Sequence, residues 1–363
     1  MISKTLSIYF GRRFVGYFFG VFFGVFALVA LIDYIEMTRR TDDIPNISAL
    51  IVAQISLFRL PQLLERLMPF CALIAAMICY LNLSRRNELV VARAAGMSAW
   101  QFISPAIFAA LILGALGTAV YNPVSAAMQE RSKRLEAELF GERRSGLQEV
   151  GGGFWVRQRS ADGQAIINAQ TSSQQGARLS GVSVFNFDPG GQFLERIEAK
   201  SAVLREGYWQ LSEARVYRIG SPPRDLATSR LNTNLTTEQV RESFATPETV
   251  PFWQLPDYID TAEHAGLIAS GYRFQYHRLL ARPFLLAAMV LLAVSFSLRF
   301  FRSGGIQKMV LGGIAAGFLL YVLSKVTEDL SKAQLMHPAA AAWLPVLFGG
   351  LTGLVALLHQ EDG

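Results

Sequence analysis

Residues 70–120 run FCALIAAMICYLNL, then SRRNELVVARAAGMSAWQ (84–101), then FISPAIFAALILGALGTAV. Two apolar stretches flank an insert of arginines, one glutamate and small residues. A hydrocarbon core of about 30 Å needs roughly 20 apolar residues in helical form, so each flank reads as a membrane span and the insert as the turn between them. Within the insert, Gly96 stands where a helix C′ glycine releases the chain into a turn. Ser98 and Gln101 then form S-x-x-Q, a capping box, with Met97 and Phe102 placed for a hydrophobic staple. This spacing predicts a separate short helix over 86–95, with the following span starting afresh at Ser98. Taken alone, that helix is either a positively charged loop at the membrane surface or a handle for another protein.

Outward from this insert the same pattern recurs. Of the 363 residues, 52% are hydrophobic, 25 are Phe, only 17% are charged, and the mean hydropathy is +0.30. Soluble domains carry about 25% charged residues. Six segments are long and apolar enough to span a membrane, at about 13–35, 55–83, 99–121, 275–300, 306–327 and 340–359. The net charge of +6 does not point to nucleic acid, because the basic residues flank apolar runs instead of forming one patch. Lys4, Arg12 and Arg13, then Arg85, Arg86 and Arg93, then Arg299, Arg302 and Lys308 all fall on one side of a six-span chain. That side is cytoplasmic by the positive-inside rule, and both termini lie there. Arg39 and Arg40 oppose this but are diluted by Asp42 and Asp43. The first apolar run is too long for a cleaved signal peptide and reads as a retained span. Cys71 and Cys79 lie in one apolar segment as buried thiols, so no disulfide framework is expected.

The period changes between about 140 and 250. GGFWVRQRSADGQAIINAQ alternates and turns at Asp162-Gly163. The following strands are punctuated by Asp188-Pro189-Gly190-Gly191 and Glu206-Gly207, hairpin signals with β-branched and aromatic residues between them. The expected architecture is an α-helical membrane protein of six spans with an all-β domain, a sandwich or jellyroll of about 110 residues, inserted between spans three and four. It divides as 1–135 (spans one to three with the 86–95 helix), 136–265 (the β domain with flanking polar helices) and 266–363 (spans four to six). Phe154, Trp155, Phe185, Phe187 and Trp209 read as β-domain core.

A search for catalytic chemistry finds no G-x-x-x-x-G-K-[ST] loop, no H-E-x-x-H and no G-x-S-x-G. His264, His277, His337 and His359 show no metal-ligand spacing. No cofactor is expected, and energy for any transport must come from another chain.

SRRNELVVARAAGMS strongly resembles the coupling segment of the LptF/LptG permeases, which extract lipopolysaccharide from the inner membrane of Gram-negative bacteria, and its x-R-x-E-L-V-V-x-[RQ]-A-x-G form is most similar to the LptG branch. The likeness covers the whole chain, including GGFWVR at the start of the β domain and Pro283 in span four. It implies a periplasmic β-jellyroll and a non-catalytic transmembrane subunit of an ABC transporter. The implied partners are an LptF-like second permease, an LptB-like ATPase dimer, an LptC-like bitopic protein and a periplasmic LptA-like bridge. It also implies that Glu88, with Arg86, Leu89, Arg93 and Gly96, couples to the ATPase, which accounts for the missing nucleotide motif. Two readings compete with it: a membrane-anchored periplasmic scaffold, and a mechanotransmitting ABC subunit without a lipid cavity.

Two further patterns bear on the lipid path. Gly16, Gly20 and Gly24 lie four apart in span one, as do Gly313 and Gly317 in span five, and such faces let backbones approach closely. They serve either packing within the chain or, as the resemblance implies, lateral gates between span one of one subunit and span five of the other. Charged residues at membrane depth usually face a cavity or a partner. Arg39, Arg40, Arg59, Arg66 and Lys325 are the candidates for lipid A phosphates, since guanidinium matches phosphate geometry, although snorkelling to the surface is the alternative for each. Arg39 and Arg40 match a lysine pair of the family, whereas Asp33 stands where a lysine is found and Gln62 replaces another. The edges of the β domain are open to strand addition by a partner of like fold.

Overall fold

The computed structural model describes residues 4–42, 48–144, 154–160, 163–173, 178–188, 192–205, 207–218, 220–233, 247–264, 269–301 and 306–361. It contains six helices long and apolar enough to cross a membrane. The first two are α1 (Lys4–Thr41) and α2 (Ala49–Arg85), followed by a short α3 (Glu88–Ala94). The third span is built from α4 (Ala99–Leu116), a π-helical turn (Gly117–Tyr121) and α5 (Asn122–Arg144) without a break. After the β domain come α6 (Leu255–His264) and the last three spans, α7 (Ser270–Phe301), α8 (Ile306–Lys332) and α9 (Pro338–Glu361). The spans outrun the apolar segments read from the sequence because polar residues at both ends continue the helical turns.

The chain divides into two compact units, Met1–Ser132 with Thr249–Leu255 and Ser270–Gly363, and Lys133–Glu248 with Pro256–Ala269. Thr249–Leu255, which the sequence assigned to the β domain, belongs with the helices because Phe252 and Trp253 are hydrogen-bonded to the third span.

Phe10, Phe14 and Phe18, one helical turn apart, bury the inner stripe of α1 in a core that includes Leu73, Tyr80, Phe102 and Met289. The Tyr80 hydroxyl donates to the Phe102 carbonyl at 3.1 Å, so the buried phenol is satisfied. Spans α4 and α7 are in close contact at Gly114, where a Cβ would stand 2.4 Å from Pro283 Cα. Only glycine fits there.

The β unit is one antiparallel sheet in up-and-down order: β1 (Phe154–Ser160), β2 (Gly163–Ser173), β3 (Arg178–Phe187), β4 (Phe193–Arg205), β5 (Tyr208–Arg218) and β6 (Arg224–Asn232). An all-β insertion between the third and fourth spans is therefore present. Among the described residues it has none of the crossing connections that a two-layer jellyroll adds. One face is buried, with Ile167, Leu179, Val184, Ile197, Leu204, Trp209 and Leu211 at its centre. Inward residues recur every second position, as a pleated strand requires. Once in each of three strands the step is three, from Leu179 to Val182, Ala199 to Ala202 and Leu211 to Ala214. Gly181 and Glu213 have positive φ in two of those gaps, so the strands shift phase together and keep the same face inward. The expected hairpin turns join β1–β2, β3–β4 and β4–β5, but Asp162, residues 189–191 and Glu206 lie outside the described residues. So does Arg302, and the side chains of Phe154, Trp155 and Arg299 do too.

Candidate functional site: a charged cavity and an interspan helix

Span three carries Asn122-Pro123, and a proline has no N–H to give the carbonyl four residues before it. That carbonyl belongs to Ala119. It accepts the Trp253 indole N–H at 3.0 Å instead. The helix loosens into a π turn here, with the Asn122 N–H bonded five residues back to the Gly117 carbonyl. Single π turns of this kind are frequent at functional sites. The Thr118 hydroxyl donates to the Leu279 carbonyl of α7 (2.8 Å) and the Tyr121 hydroxyl to the Pro61 carbonyl of α2 (3.0 Å). The turn thus binds three spans.

Asn122 is the centre of this region. Its amide donates to Glu65 Oε1 at 2.8 Å, and its Oδ1 accepts the Phe252 backbone N–H at 2.9 Å. Glu65 also pairs with Arg282 at 2.6 Å, their side chains only 6% and 8% exposed. Two opposite charges in an apolar interior are tolerated because each has its counter-charge and the carboxylate has a further donor.

Glu65 and Arg282 form part of the wall of a cavity of about 570 Å³ among α2, α7, α8 and α9, with Val29 of α1 also in the lining. Its apolar lining includes Phe70, Leu285, Met289, Phe318 and Tyr321. Arg66, Arg278 and Lys325 join Arg282 as its cations, against Glu65 and Glu328. Glu328 is shared by Arg278 (3.5 Å), Lys325 (3.6 Å) and Lys332 (2.6 Å), and Lys325 is also paired with Asp329 (3.2 Å). Arg66 has no ion pair among the described residues. The arrangement is an apolar pocket with a cationic rim, suited to an amphiphile with an anionic head.

Two of the five sequence candidates for lipid contact, Arg66 and Lys325, therefore share this cavity. The other three do not line it. Arg40 is ion-paired to Glu36 one turn away on the exposed end of α1, and Arg39 is exposed beside it. Arg59 lies 3.7 Å from Asp33, whose carboxylate also accepts the Ser56 hydroxyl at 2.7 Å. Asp33 is buried there, and α2 supplies the cation that neutralises it. Arg59 is committed to that role. The sequence missed Arg278 and Arg282, which lie one helical turn apart on α7. The signal was present, since both stand within a membrane-length helix, just before its apolar run.

At the opposite end of α2 the insert folds nearly as its spacing predicts. Gly96 has φ +80°, its N–H donates to the Arg93 carbonyl (2.9 Å), and the Met97 N–H donates to the Ala92 carbonyl (3.1 Å). These two bonds are the Schellman pair that ends a helix. The Gln101 side chain accepts the Ser98 N–H at 3.3 Å as the next helix begins. The short helix starts later than expected, at Glu88. Arg86 caps α2, and Asn87 takes the left-handed conformation (φ 60°) that asparagine tolerates. That rotation buries Leu89, 4% exposed and part of the helical core, so Leu89 anchors α3. Val90 and Val91, 55% and 67% exposed, are the apolar residues that α3 turns outward. Arg93 is exposed, with its guanidinium 5.9 Å from the Phe102 ring centroid. Glu88 is not free either. It accepts the Tyr9 hydroxyl at 2.8 Å and lies 3.6 Å from Arg13, both on α1.

The glycine faces separate. A Cβ at Gly16, Gly20 or Gly24 would meet nothing within 4 Å, and only 6% of the apolar stretch of α1 is buried. At Gly313 a Cβ would stand 2.5 Å from Met77 Sδ, and at Gly317 3.0 Å from Leu73 Cδ1. The α8 glycines are spent on α2 of the same chain, whereas the α1 face is open. Among the described residues no group of three or more His, Cys, Asp or Glu could hold a metal ion.

Residues 8–359 match the protein family described as lipopolysaccharide export system permease LptF/LptG. The lipopolysaccharide export system permease protein LptG of Haemophilus influenzae is 24% identical, covering 96% of this chain and 94% of that protein. Its counterpart in Escherichia coli K12 is 22% identical, covering 92% of each.

Proposed function

The chain belongs to the LptF/LptG family of lipopolysaccharide export permeases, and from that premise we propose that its helices hold the lipid in the cavity of α2, α7, α8 and α9 while a separate ATPase acts on α3. It is a multi-span, LptG-like permease of the export system. The observation that carries the lipid-holding reading is the cavity itself. Phe318 and Tyr321 offer apolar walls for acyl chains, and Arg66, Arg278 and Lys325 offer bidentate or point-charge partners for phosphates.

In this reading the chain sits in the inner membrane of a Gram-negative bacterium with its β unit in the periplasm. The open α1 face, with Gly16, Gly20 and Gly24, meets an LptF-like second permease. An LptB-like dimer binds the outward face of α3 through Val90, Val91 and Arg93 and hydrolyses the ATP, leaving the permease itself non-catalytic. An LptC-like bitopic protein and an LptA-like bridge receive the lipid through the β unit. Photocrosslinking tests the cavity. A photoreactive residue in place of Phe318 or Arg66 is expected to give a lipopolysaccharide adduct in cells. Adducts from exposed Leu311 or Leu347 but from neither cavity position would overturn it.

A further inference from the structure

The family resemblance implied that Glu88 couples to an ATPase. The structure shows it already engaged, and its partners lie on a different span. The Tyr9 hydroxyl donates to Glu88 Oε2 at 2.8 Å, and an Arg13 nitrogen lies 3.6 Å from Oε1. Arg13 also sits over the Tyr9 ring, 5.1 Å from its centroid, so the two α1 residues brace one another one turn apart. One turn further on, the Tyr17 hydroxyl accepts the Asn82 amide of α2 at 2.5 Å. Both side chains of the Arg13–Glu88 pair are about a quarter exposed, at 24% and 27%.

A helix of seven residues has no stability of its own. Its orientation must come from what it touches. Leu89 and Ala92 fix one side in the core, and Gly96 fixes the end. Glu88, in the first turn, adds the only hydrogen bond among those described that runs from an α3 side chain to α1. This carboxylate is therefore a polar link between α3 and α1, beside the apolar core that Leu89 shares with Phe10. The same α1 carries the open glycine face.

We propose that Tyr9 and Arg13 are positioning residues for energy coupling: they clamp Glu88 so that α3 and α1 move as one body when the ATPase acts. The proposal rests on the reading that α3 receives the motor. Its test uses the assembled permease–ATPase complex in proteoliposomes loaded with lipopolysaccharide, and measures lipid released per ATP hydrolysed alongside ATPase co-purification. Tyr9→Phe keeps the ring and its contact with Arg13 but deletes the bond to Glu88. Lipid released per ATP is expected to fall roughly five- to tenfold, the scale of a partly exposed hydrogen bond to a charged group, while the ATPase still co-purifies. Arg13→Gln is expected to lower the same ratio and Arg13→Lys to restore most of it. A merely structural role would lower the yield of the complex without changing the ratio. An unchanged ratio in both Tyr9→Phe and Arg13→Gln, with ATPase binding lost in Val91→Asp, would overturn the clamp and leave the motor reading intact. Retention of ATPase binding in Val91→Asp, with an unchanged ratio in Tyr9→Phe and Arg13→Gln, would overturn both.

Discussion

Replacing Glu65 with alanine leaves the Arg282 guanidinium, 8% exposed, without its counter-charge at 2.6 Å. It also takes the acceptor from the Asn122 amide. Removing one partner of a buried pair costs about 3–5 kcal/mol, because the remaining charge stays desolvated. At 1.4 kcal/mol per decade, that is roughly two to nearly four orders of magnitude in the folding equilibrium. Glu65→Leu combined with Arg282→Met removes both charges and keeps the volume. About 2 kcal/mol of the loss is expected to return, leaving about 1–3 kcal/mol for the unsatisfied Asn122. Unfolding in mixed detergent micelles over a range of denaturing detergent measures all three proteins. A Glu65→Ala cost below about 1 kcal/mol, or a double variant as unstable as the summed singles, would refute the argument that this pair is dry and mutually dependent.

Other outcomes follow from the same geometry. Gly20→Leu is expected to leave the isolated chain as stable as before, since nothing lies within 4 Å of the added Cβ, and to impair pairing with the second permease. Normal pairing and transport in that variant would remove the α1 glycine face from the seam. Val91→Asp is expected to reduce ATPase co-purification at least tenfold with little effect on stability. Leu89→Ala, at a buried site, should instead cost about 2–5 kcal/mol of stability; equal effects from the two would contradict the assignment of the α3 faces. In the β unit, hydrogen bonds from Arg215 hold the exposed Asp225 carboxyl below its ordinary value. Its contribution is complete above the ordinary carboxylate value and is lost as pH falls through the lowered one, so Asp225→Asn should flatten that part of the acid unfolding profile.

Much of the helical frame was legible because length and hydropathy alone decide it. The insert at 84–101 was legible too, since Gly96 and the Ser98–Gln101 spacing are local signals with one structural meaning each. What the sequence could not assign were directions. Asn87 in the left-handed conformation rotates α3, and that rotation decides that Leu89 faces in and the valines face out. The glycines of α1 and α8 have the same spacing, and only Met77 and Leu73, more than two hundred residues from Gly313 and Gly317, show that one face is already occupied. Asn122-Pro123 announced an irregularity. Its repair by Trp253 depends on a contact across 134 positions, which no local pattern encodes. Arg59 shows the same limit from another side, because a charge at membrane depth reads alike whether it awaits a ligand or balances Asp33.

The π turn at Gly117–Tyr121 also acts as a clocking device. It adds one residue to a turn, which rotates everything beyond it by about 100° relative to an unbroken helix. Asn122 meets Glu65, and Ser132 reaches the Ile55 carbonyl at 3.4 Å, on that rotated phase. Closing this turn into ordinary i→i−4 bonding, with no residue added or removed, would change the length of the span by no more than about 1.5 Å. It would nevertheless swing Asn122 off both Glu65 and Phe252 and turn a different row of α5 toward α2. The half of this span beyond the turn is set by angle, and a change too small to alter its reach would be enough to misalign it.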